Sequence, residues 1–244
     1  MSSLKYKVAG ALLVTALATG GVAPSQAAAM DLEVGARAGA SWNLLSQPQD
    51  RVGEWTLLYG SAFTGYGFVV GPEVSLSLGQ VAGAELRFLG DLLYGFHQGS
   101  GFEEHANGAR IDVTLVAHVI RLPLLVQAVG EGEAFRPALA LGVEPFLGLM
   151  SGATVAQQNI STPPQPLETT PSSGLALLAS IGGILERGDM VIPVDLRVAW
   201  NPLVPSTTVE RFEGFESSSD PGTYRVAFDW QVLLTAGVRF KLGD

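Results

Sequence analysis

Cysteine is absent from the 244-residue sequence, which excludes disulfide bonds and thiolate metal sites. Charged residues make up only 15% of the chain, and 14 lysines and arginines stand against 23 aspartates and glutamates, so no nucleic-acid partner is expected. Beyond the first 29 residues, no apolar run approaches the roughly 18–20 residues of a membrane-spanning helix. Yet 47% of the residues are hydrophobic. The arrangement of these apolar residues therefore decides the fold class.

The first 29 residues have the layout of a cleavable export signal. Two lysines precede an apolar stretch that ends at Val22, and small residues follow. This order is typical of a secretory signal peptide, here with cleavage near Ala27 or Ala29. The apolar stretch is short for a membrane anchor. We therefore expect a signal peptide over residues 1–29, export through the Sec pathway, and one mature domain over residues 30–244.

Apolar residues recur at every second position of the mature chain, as in strands with one apolar face. The clearest case is the last one, because the even positions from Tyr224 to Leu242 are all apolar and the odd positions include Arg225, Asp229 and Arg239. This run exceeds the roughly 9–11 residues with which a tilted strand crosses a bilayer. The preceding strands are predicted at residues 32–42, 66–78, 85–97, 112–127, 135–149, 174–186 and 192–200.

Short and long connections alternate between these strands. Tight turns are predicted near residues 79–80, 130–132 and 187–188. Long polar connections are predicted over residues 46–64, 98–108, 151–171 and 202–221. Outer-membrane barrels combine short periplasmic turns, long external loops and an even number of strands. The predicted fold class is therefore all-β: an eight-stranded antiparallel up-and-down transmembrane β-barrel in the bacterial outer membrane.

The fourth predicted strand changes the parity of its polar residues. Asp112 and His118 share one parity, whereas Arg121 and Gln127 lie on the other. A β-bulge produces such a change, and Pro123 suits an irregular position. We therefore predict a bulge between His118 and Arg121, with Asp112 and His118 facing the lumen.

The parity opposite to the apolar face defines the predicted lumen. Nine acidic residues there face eight basic ones, which indicates paired charges that close the lumen rather than a pore with one dominant sign. We expect Glu33 to pair with Arg239, and Arg197 with Asp229. The predicted lumen charge network, with one histidine included, comprises Glu33, Arg37, Glu73, Glu85, Arg87, Asp91, Asp112, His118, Arg121, Arg136, Glu144, Glu186, Asp195, Arg197, Arg225, Asp229, Arg239 and Lys241.

Aromatic residues at the strand ends beside the long connections predict one interfacial girdle, made of Trp42, Tyr66, Tyr94, Phe96, Trp200 and Tyr224. The rival fold is a soluble eight-stranded barrel of the lipocalin type, whose apolar face lines the interior. The polar face of these strands is rich in glycine, alanine and serine as well as charges. A narrow interior requires small side chains, so the membrane barrel is favoured.

Four short segments carry a family resemblance. They lie at residues 66–71 (YGFVVG), 84–88 (AELRF), 120–125 (IRLPLL) and 236–240 (AGVRF). On these segments the chain resembles the small bacterial outer-membrane β-barrel superfamily, which includes the OmpA transmembrane domain, OmpX and PorT-like barrels. The resemblance implies periplasmic chaperones and the barrel-assembly machinery as partners, with Trp230 and Phe240 in the assembly signal. Such proteins usually end on the aromatic residue of the last strand, whereas four residues follow Phe240 here.

No catalytic, cofactor or metal motif is recognisable in the sequence. Some small outer-membrane barrels hydrolyse lipids with a Ser/His pair and a carboxylate, but His97, His105 and His118 lack that spacing and match no metal-ligand pattern. We expect a monomeric, non-enzymatic protein of the Gram-negative cell envelope, in contact with outer-membrane lipid and lipopolysaccharide, with a structural or surface-interaction role. A narrow pore for small solutes and an enzyme that modifies lipid A or phospholipid are the alternatives.

Overall fold

The computed structural model describes residues 31–45, 57–60, 63–105, 110–157, 165–167, 169–203, 224–226 and 228–242. The predicted signal peptide and most of the predicted long connections lie outside these ranges, so the division of the chain at residue 29 stays a prediction. Within these ranges, all the regular elements are β-strands. No helix of the described residues is long and apolar enough to cross a membrane.

Fourteen strands are present in the described part of the chain. They are β1 (Leu32–Leu45), β2 (Leu57–Gly60), β3 (Phe63–Val81), β4 (Ala84–Asp91), β5 (Leu93–His105), β6 (Arg110–Arg121), β7 (Leu124–Val129), β8 (Phe135–Gln157), β9 (Gln165–Leu167), β10 (Thr169–Pro171), β11 (Gly174–Arg187), β12 (Met190–Trp200), β13 (Tyr224–Val226) and β14 (Phe228–Leu242).

The longer strands close into a ring. Strands β4 and β5 form one barrel strand interrupted at Leu92, and β6 and β7 form another, interrupted at residues 122–123. Together with β1, β3, β8, β11, β12 and β14 they make eight barrel strands, each antiparallel to its neighbours. Pairing of β1 with both β3 and β14 closes the ring. The predicted eight-stranded antiparallel barrel is confirmed, and it is the fold that the family resemblance implies.

Three barrel strands, β5, β6 and β8, extend further on the side away from the short turns than the sequence predicts. Strand β8 runs to Gln157 and β5 to His105, and β6 pairs with both along this extension. Strands β2 and β9 add to its two edges. Residues 98–105 and 151–157, predicted as connections, are therefore strand. Conversely, the predicted start of the last strand is wrong, because β13 pairs in parallel with β10 in a separate two-stranded sheet.

The short turns follow glycine geometry. Ala82 and Gly83 both have positive φ, 52° and 83°, as in a two-residue hairpin turn, and this turn lies three residues beyond the predicted position. Gly79 is instead part of β3, where the register shifts between Ser77 and Gly79. A bulge with a glycine at positive φ looks like a turn in sequence. The turn at Gly188 and the connection after Gly130 lie where they are predicted.

A bulge lies within the predicted interval, between His118 and Val119, but the extra residue belongs to the neighbouring strand β8 and not to β6. His118 pairs with Met150 and Val119 with Gly148, which leaves Leu149 as the bulged residue. Along β6 and β7 the odd positions stay buried throughout, from Val113 to Val129. Asp112 and His118 therefore face outward rather than into the lumen. The direction predicted from polarity is wrong here because the residues of β6 that face the lumen are apolar up to Arg121.

Three prolines lie at one level, in three of the four consecutive barrel strands from β3 to β8. Pro72 lies in β3, Pro145 in β8, and Pro123 at the break between β6 and β7. The carbonyl oxygens of Pro72 and Pro145 accept hydrogen bonds of 3.0 and 2.9 Å from the amides of Leu92 and Leu122, the residues at the strand breaks. Because proline has no amide proton, the ladder loses donors along this line.

Candidate functional site

Inward positions of the barrel strands carry the charges of the lumen. In β1 the inward residues are Glu33, Arg37, Ser41 and Asn43, and glycines stand at the inward positions between them. Inward glycines also occur in β3 and β14, at residues 65, 67, 71 and 237. Without side chains there, this part of the wall leaves room for arginines to extend across the barrel.

Two arginines form the centre of the lumen network. Arg37 lies 2.8 Å from Glu73 and also donates to Asp195. Arg197 lies 2.6 Å from both Asp91 and Asp195. Asp195 is thus shared by both guanidinium groups, and all five residues are at most 5% exposed. Since these five residues come from strands β1, β3, β4 and β12, the network ties distant parts of the ring together.

A second set of ion pairs lies near the short turns. Cations and carboxylates alternate along it, and neighbouring members are 2.7–3.1 Å apart. In order, its members are Glu33, Arg87, Glu85, Arg136, Glu186 and Lys241. Alternation of sign lets each group contact an opposite charge, which offsets part of the cost of burial.

Arg239 lies between the two sets. Its Nε atom is 3.4 Å from Glu33 and 3.9 Å from Glu73, so Glu33 and Arg239 lie together, as expected from the sequence. Arg197 instead contacts Asp91 and Asp195, and the strand register sets Leu233, not Asp229, opposite it. The side chains of Asp229 and Arg225 lie outside the described set.

A separate pair lies nearer the loop end of the barrel. Arg121 donates to Glu144 at 2.5 and 2.7 Å and lies 5.6 Å from the ring of Phe228. Sequence parity predicts that Phe228 faces outward, but a register shift against β1 turns it inward, where its ring centroid is 5.0 Å from that of Phe146. Sequence parity does not identify this aromatic layer, which lies with Leu93 in the apolar core.

Three neutral polar side chains lie in the same upper part of the lumen. Gln231 donates to Asn43 at 2.5 Å and lies 3.1 Å from Nδ1 of His97. All three are at most 2% exposed. Asn43 and Gln231 share the inward parity of the charged residues, which is the signal that could have identified them. Within this group His97 therefore contacts the amide of Gln231, whereas a hydrolytic site would need a carboxylate beside the histidine.

The interior pairs of the described residues balance in charge. Seven carboxylates, Glu33, Glu73, Glu85, Asp91, Glu144, Glu186 and Asp195, meet seven cations, Arg37, Arg87, Arg121, Arg136, Arg197, Arg239 and Lys241. Among the residues that the structure describes, no group of histidines and carboxylates could hold a metal ion. The arrangement is suited to filling the lumen and holding opposite walls together.

Aromatic side chains form an outward layer at the loop end of the strands. Trp42, Tyr66 and Trp200 are exposed there, and the rings of Trp200 and Trp230 stack at 5.6 Å. Tyr94 and Phe96 also face outward. Tyr224 belongs to β13 and its side chain is not described. Of the two residues of the predicted assembly signal, Trp230 lies in this layer and Phe240 at the turn end, and both are exposed.

Replacing Gly237 by valine is expected to disturb the central network. A Cβ atom at this position would lie 2.2 Å from Oε1 of Glu73, whose carboxylate is held by Arg37. Overpacking of this kind costs about 1–3 kcal/mol of unfolding free energy. Urea titration of the refolded barrel measures it. Gly152→Val is the matched control, since nothing lies within 4 Å of a Cβ there, and equal stability of the two variants would contradict the packing described.

Comparison with known proteins finds no matching family profile and no matching curated sequence. Among solved structures, the chain is similar to Neisserial surface protein A at 12% identity and a TM-score of 0.35, over 87% of this chain and 97% of that one. It is similar to Ail, the attachment invasion locus protein of Yersinia pestis, at 11% and 0.32, over 86% and 100%. It is also similar to the outer membrane protein OprG from Pseudomonas aeruginosa, at 11% and 0.37, over 88% and 97%.

Proposed function

We propose that this chain is a non-enzymatic outer-membrane β-barrel protein with a structural or surface-interaction role, whose lumen is closed by paired charges. The observation that carries the proposal is the division of the closed ring into two faces. Ion pairs fill the inside, and large apolar side chains cover the outside. A barrel with these faces is stable where its surroundings are hydrocarbon.

The apolar outer face extends around the whole ring. Every barrel strand contributes at least one large, exposed apolar side chain, for example Trp42, Phe68, Phe88, Val126, Leu141, Ile181, Leu196 and Leu234. Water-soluble monomers rarely expose contiguous apolar patches larger than a few hundred Å². This face therefore supports a lipid environment over the lipocalin-like alternative.

The height of the outer face fits a bilayer. In β1 ten residues separate Leu32 from Trp42, and in β14 ten residues separate Phe240 from Trp230. At about 3.3 Å per residue and a strand tilt of about 40°, ten residues rise about 25 Å. Outer-membrane barrels have an apolar band of about 25 Å. The aromatic layer then lies at one interface, as a girdle does.

Closure of the lumen follows from its width and its contents. An eight-stranded barrel has an interior just wide enough for side chains. Here Arg37 and Arg197 extend across it to carboxylates of other strands. A permeating ion would have to break pairs that are almost completely buried, so the network supports a plug rather than the narrow-pore alternative.

Planar-bilayer recording of the refolded, mature protein tests this closure. We expect no discrete conductance steps in 1 M KCl, because the charged pairs occupy the cross-section. A parallel sample must show a compact band on an unheated gel that shifts on boiling, which establishes that the barrel is folded. Reproducible single-channel steps from such a sample would contradict the plug and favour the pore.

The non-enzymatic part of the proposal has its own test. The protein is incubated with lipopolysaccharide and with phospholipid, and the lipids are then analysed by mass spectrometry. We expect unchanged acyl chains, since the described contacts of His97 are with Gln231 and the ring of Phe228. Deacylated products that disappear in His97→Phe would overturn this part while leaving the barrel assignment intact.

The proposal also includes the export route and the partners. We propose Sec-dependent export with cleavage near Ala27 or Ala29, periplasmic chaperones and the barrel-assembly machinery on the way, and a monomer surrounded by outer-membrane lipid and lipopolysaccharide. The order of charged, apolar and small residues at the start of the chain supports the export step. N-terminal sequencing of protein from the outer-membrane fraction tests it.

A further inference from the structure

We propose that Tyr94 and His118 form a binding site for the phosphate group of a membrane lipid, on the outer wall of the barrel at its loop-side interface. The inference rests on the membrane-spanning barrel proposed above. It concerns His118, which sequence parity places in the lumen and the structure places on the outer wall.

The position of His118 is fixed by its strand. The odd positions of β6 are buried in the barrel, including Ala117 and Val119 on either side of His118. On the next strand, His118 is paired with Phe96, an outward residue. His118 is therefore a polar side chain on the outward face, and its partners on the two neighbouring strands, Phe96 and Met150, are both apolar.

Aromatic rings surround the imidazole on this face. Its centroid lies 5.3 Å from that of Phe96 in an edge-on arrangement and 6.1 Å from that of Tyr94. Phe68 extends the group, with its centroid 5.6 Å from that of Phe96. These ring contacts favour the observed orientation of the imidazole.

The tyrosine hydroxyl engages one ring nitrogen of the histidine. The Oη atom of Tyr94 lies 2.6 Å from Nδ1 of His118. When the phenol donates this hydrogen bond, the neutral imidazole carries its proton on Nε2. No hydrogen bond within the described residues uses that Nε2 atom. A donor without a partner at the edge of a hydrocarbon layer costs free energy, so it favours an acceptor from the surroundings.

The height of the pair identifies that acceptor. Phe96, whose ring packs against His118, lies ten residues along its barrel strand from Leu86, a residue close to the short turn at Ala82 and Gly83. The same separation from the turn end places Trp42 and Trp230 at the interface. Lipid headgroups lie at the level of such aromatic layers. Phosphate oxygens are the strong anionic acceptors there, and a charge-assisted hydrogen bond is about twice as strong as a neutral one.

Histidine-specific NMR tests the site on the full mature chain. The chain has three histidines, so isotope-labelled histidine gives three signals, of which buried His97 is an internal reference. The barrel is folded in octyl glucoside, a detergent without phosphate, and titrated with a short-chain phosphatidylglycerol. We expect the His118 signal to shift and saturate while the His97 signal stays in place.

Three variants sharpen the test. His118→Phe keeps the aromatic packing and is expected to weaken binding of the lipid about tenfold, judged by the lipid's phosphorus signal. Tyr94→Phe removes the orienting hydroxyl and is expected to weaken it less. Thr114→Val, on the same strand and face, is expected to change nothing. If His118→Phe does not fold, His118→Gln provides the comparison.

Each other outcome counts against the inference. An unmoved His118 signal, or equal shifts at His97 and His118, would overturn it. So would saturation by inorganic phosphate at the same concentrations, because the site would then take free phosphate. The unheated gel separates this inference from the barrel itself: a folded, compact band with an unmoved His118 signal contradicts only the lipid site, whereas absence of that band contradicts the proposed function.

Discussion

Replacing Arg37 by methionine is expected to destabilise the folded barrel by about 3–5 kcal/mol, the cost of removing one partner from a buried ion-pair network. The substitution leaves Glu73 and Asp195 without their shared cation, and Asp91 loses a positive charge 3.7 Å away. These carboxylates are almost fully buried, so water cannot replace the guanidinium without rearrangement. Arg37 thus contacts carboxylates from three other barrel strands, β3, β4 and β12.

Urea unfolding of the barrel in lipid vesicles, followed by tryptophan fluorescence and gel mobility, measures this loss. Arg187→Met is the matched control, because Arg187 is exposed at the end of β11 and is expected to change stability by less than about 0.5 kcal/mol. Adding Glu73→Gln to Arg37→Met removes one of the unpaired charges and should restore part of the stability. Equal midpoints for the Arg37 and Arg187 variants would refute a central role of the network.

Replacing Leu141 by arginine is expected to destabilise the barrel by about 2–4 kcal/mol in a bilayer, the cost of an arginine on the lipid-facing wall near the membrane midplane. Leu141 is 68% exposed, the largest exposed fraction among the leucines of the outer face. It lies in β8 about midway between Phe135 at the turn end and Leu149 at the bulge. Because it is so exposed, the substitution removes little packing inside the protein, and the cost comes from the surroundings.

The control for this prediction is Leu149→Arg, on the same strand at the edge of the apolar band. Arginine at an interface costs only about 0–1 kcal/mol. Both variants are refolded into vesicles and titrated with urea. A soluble barrel would tolerate both arginines equally well, so two indistinguishable midpoints would count against the membrane assignment and in favour of the lipocalin-like fold.

The fold could be predicted because its signal is local and repeated. Alternation with a period of two, strand after strand, requires only knowledge of which residues are apolar, and the short turns set the pairing of neighbours. Alternation predicts the wrong side-chain direction where the lumen itself is apolar. In β6, Val113 and Leu115 line the interior while Asp112 and Thr114 face outward, so polarity and direction are reversed.

The lumen contacts were only partly predictable, for a related reason. Glu33 and Arg239 lie on the neighbouring strands β1 and β14, so the pairing of these two strands brings them together. Arg37 and Asp195 come from strands that are not neighbours and meet only because long side chains cross the lumen. Sequence parity identifies which residues enter the interior, whereas the choice of partner depends on strand tilt and on the space left by inward glycines.

The line of Pro72, Pro123 and Pro145 bears on the mechanics of the wall. On the opposite side of the ring, β1 and β14 pair without a break from Leu32 to Leu44. Hydrogen bonds between strands are the stiff elements of such a wall, and Pro72, Pro123 and Pro145 have no amide proton to donate to one. We therefore expect the elasticity of the barrel to be anisotropic: under lateral pressure, the cross-section should bend first on the side of β3 to β8, while the β1–β14 pair keeps its curvature.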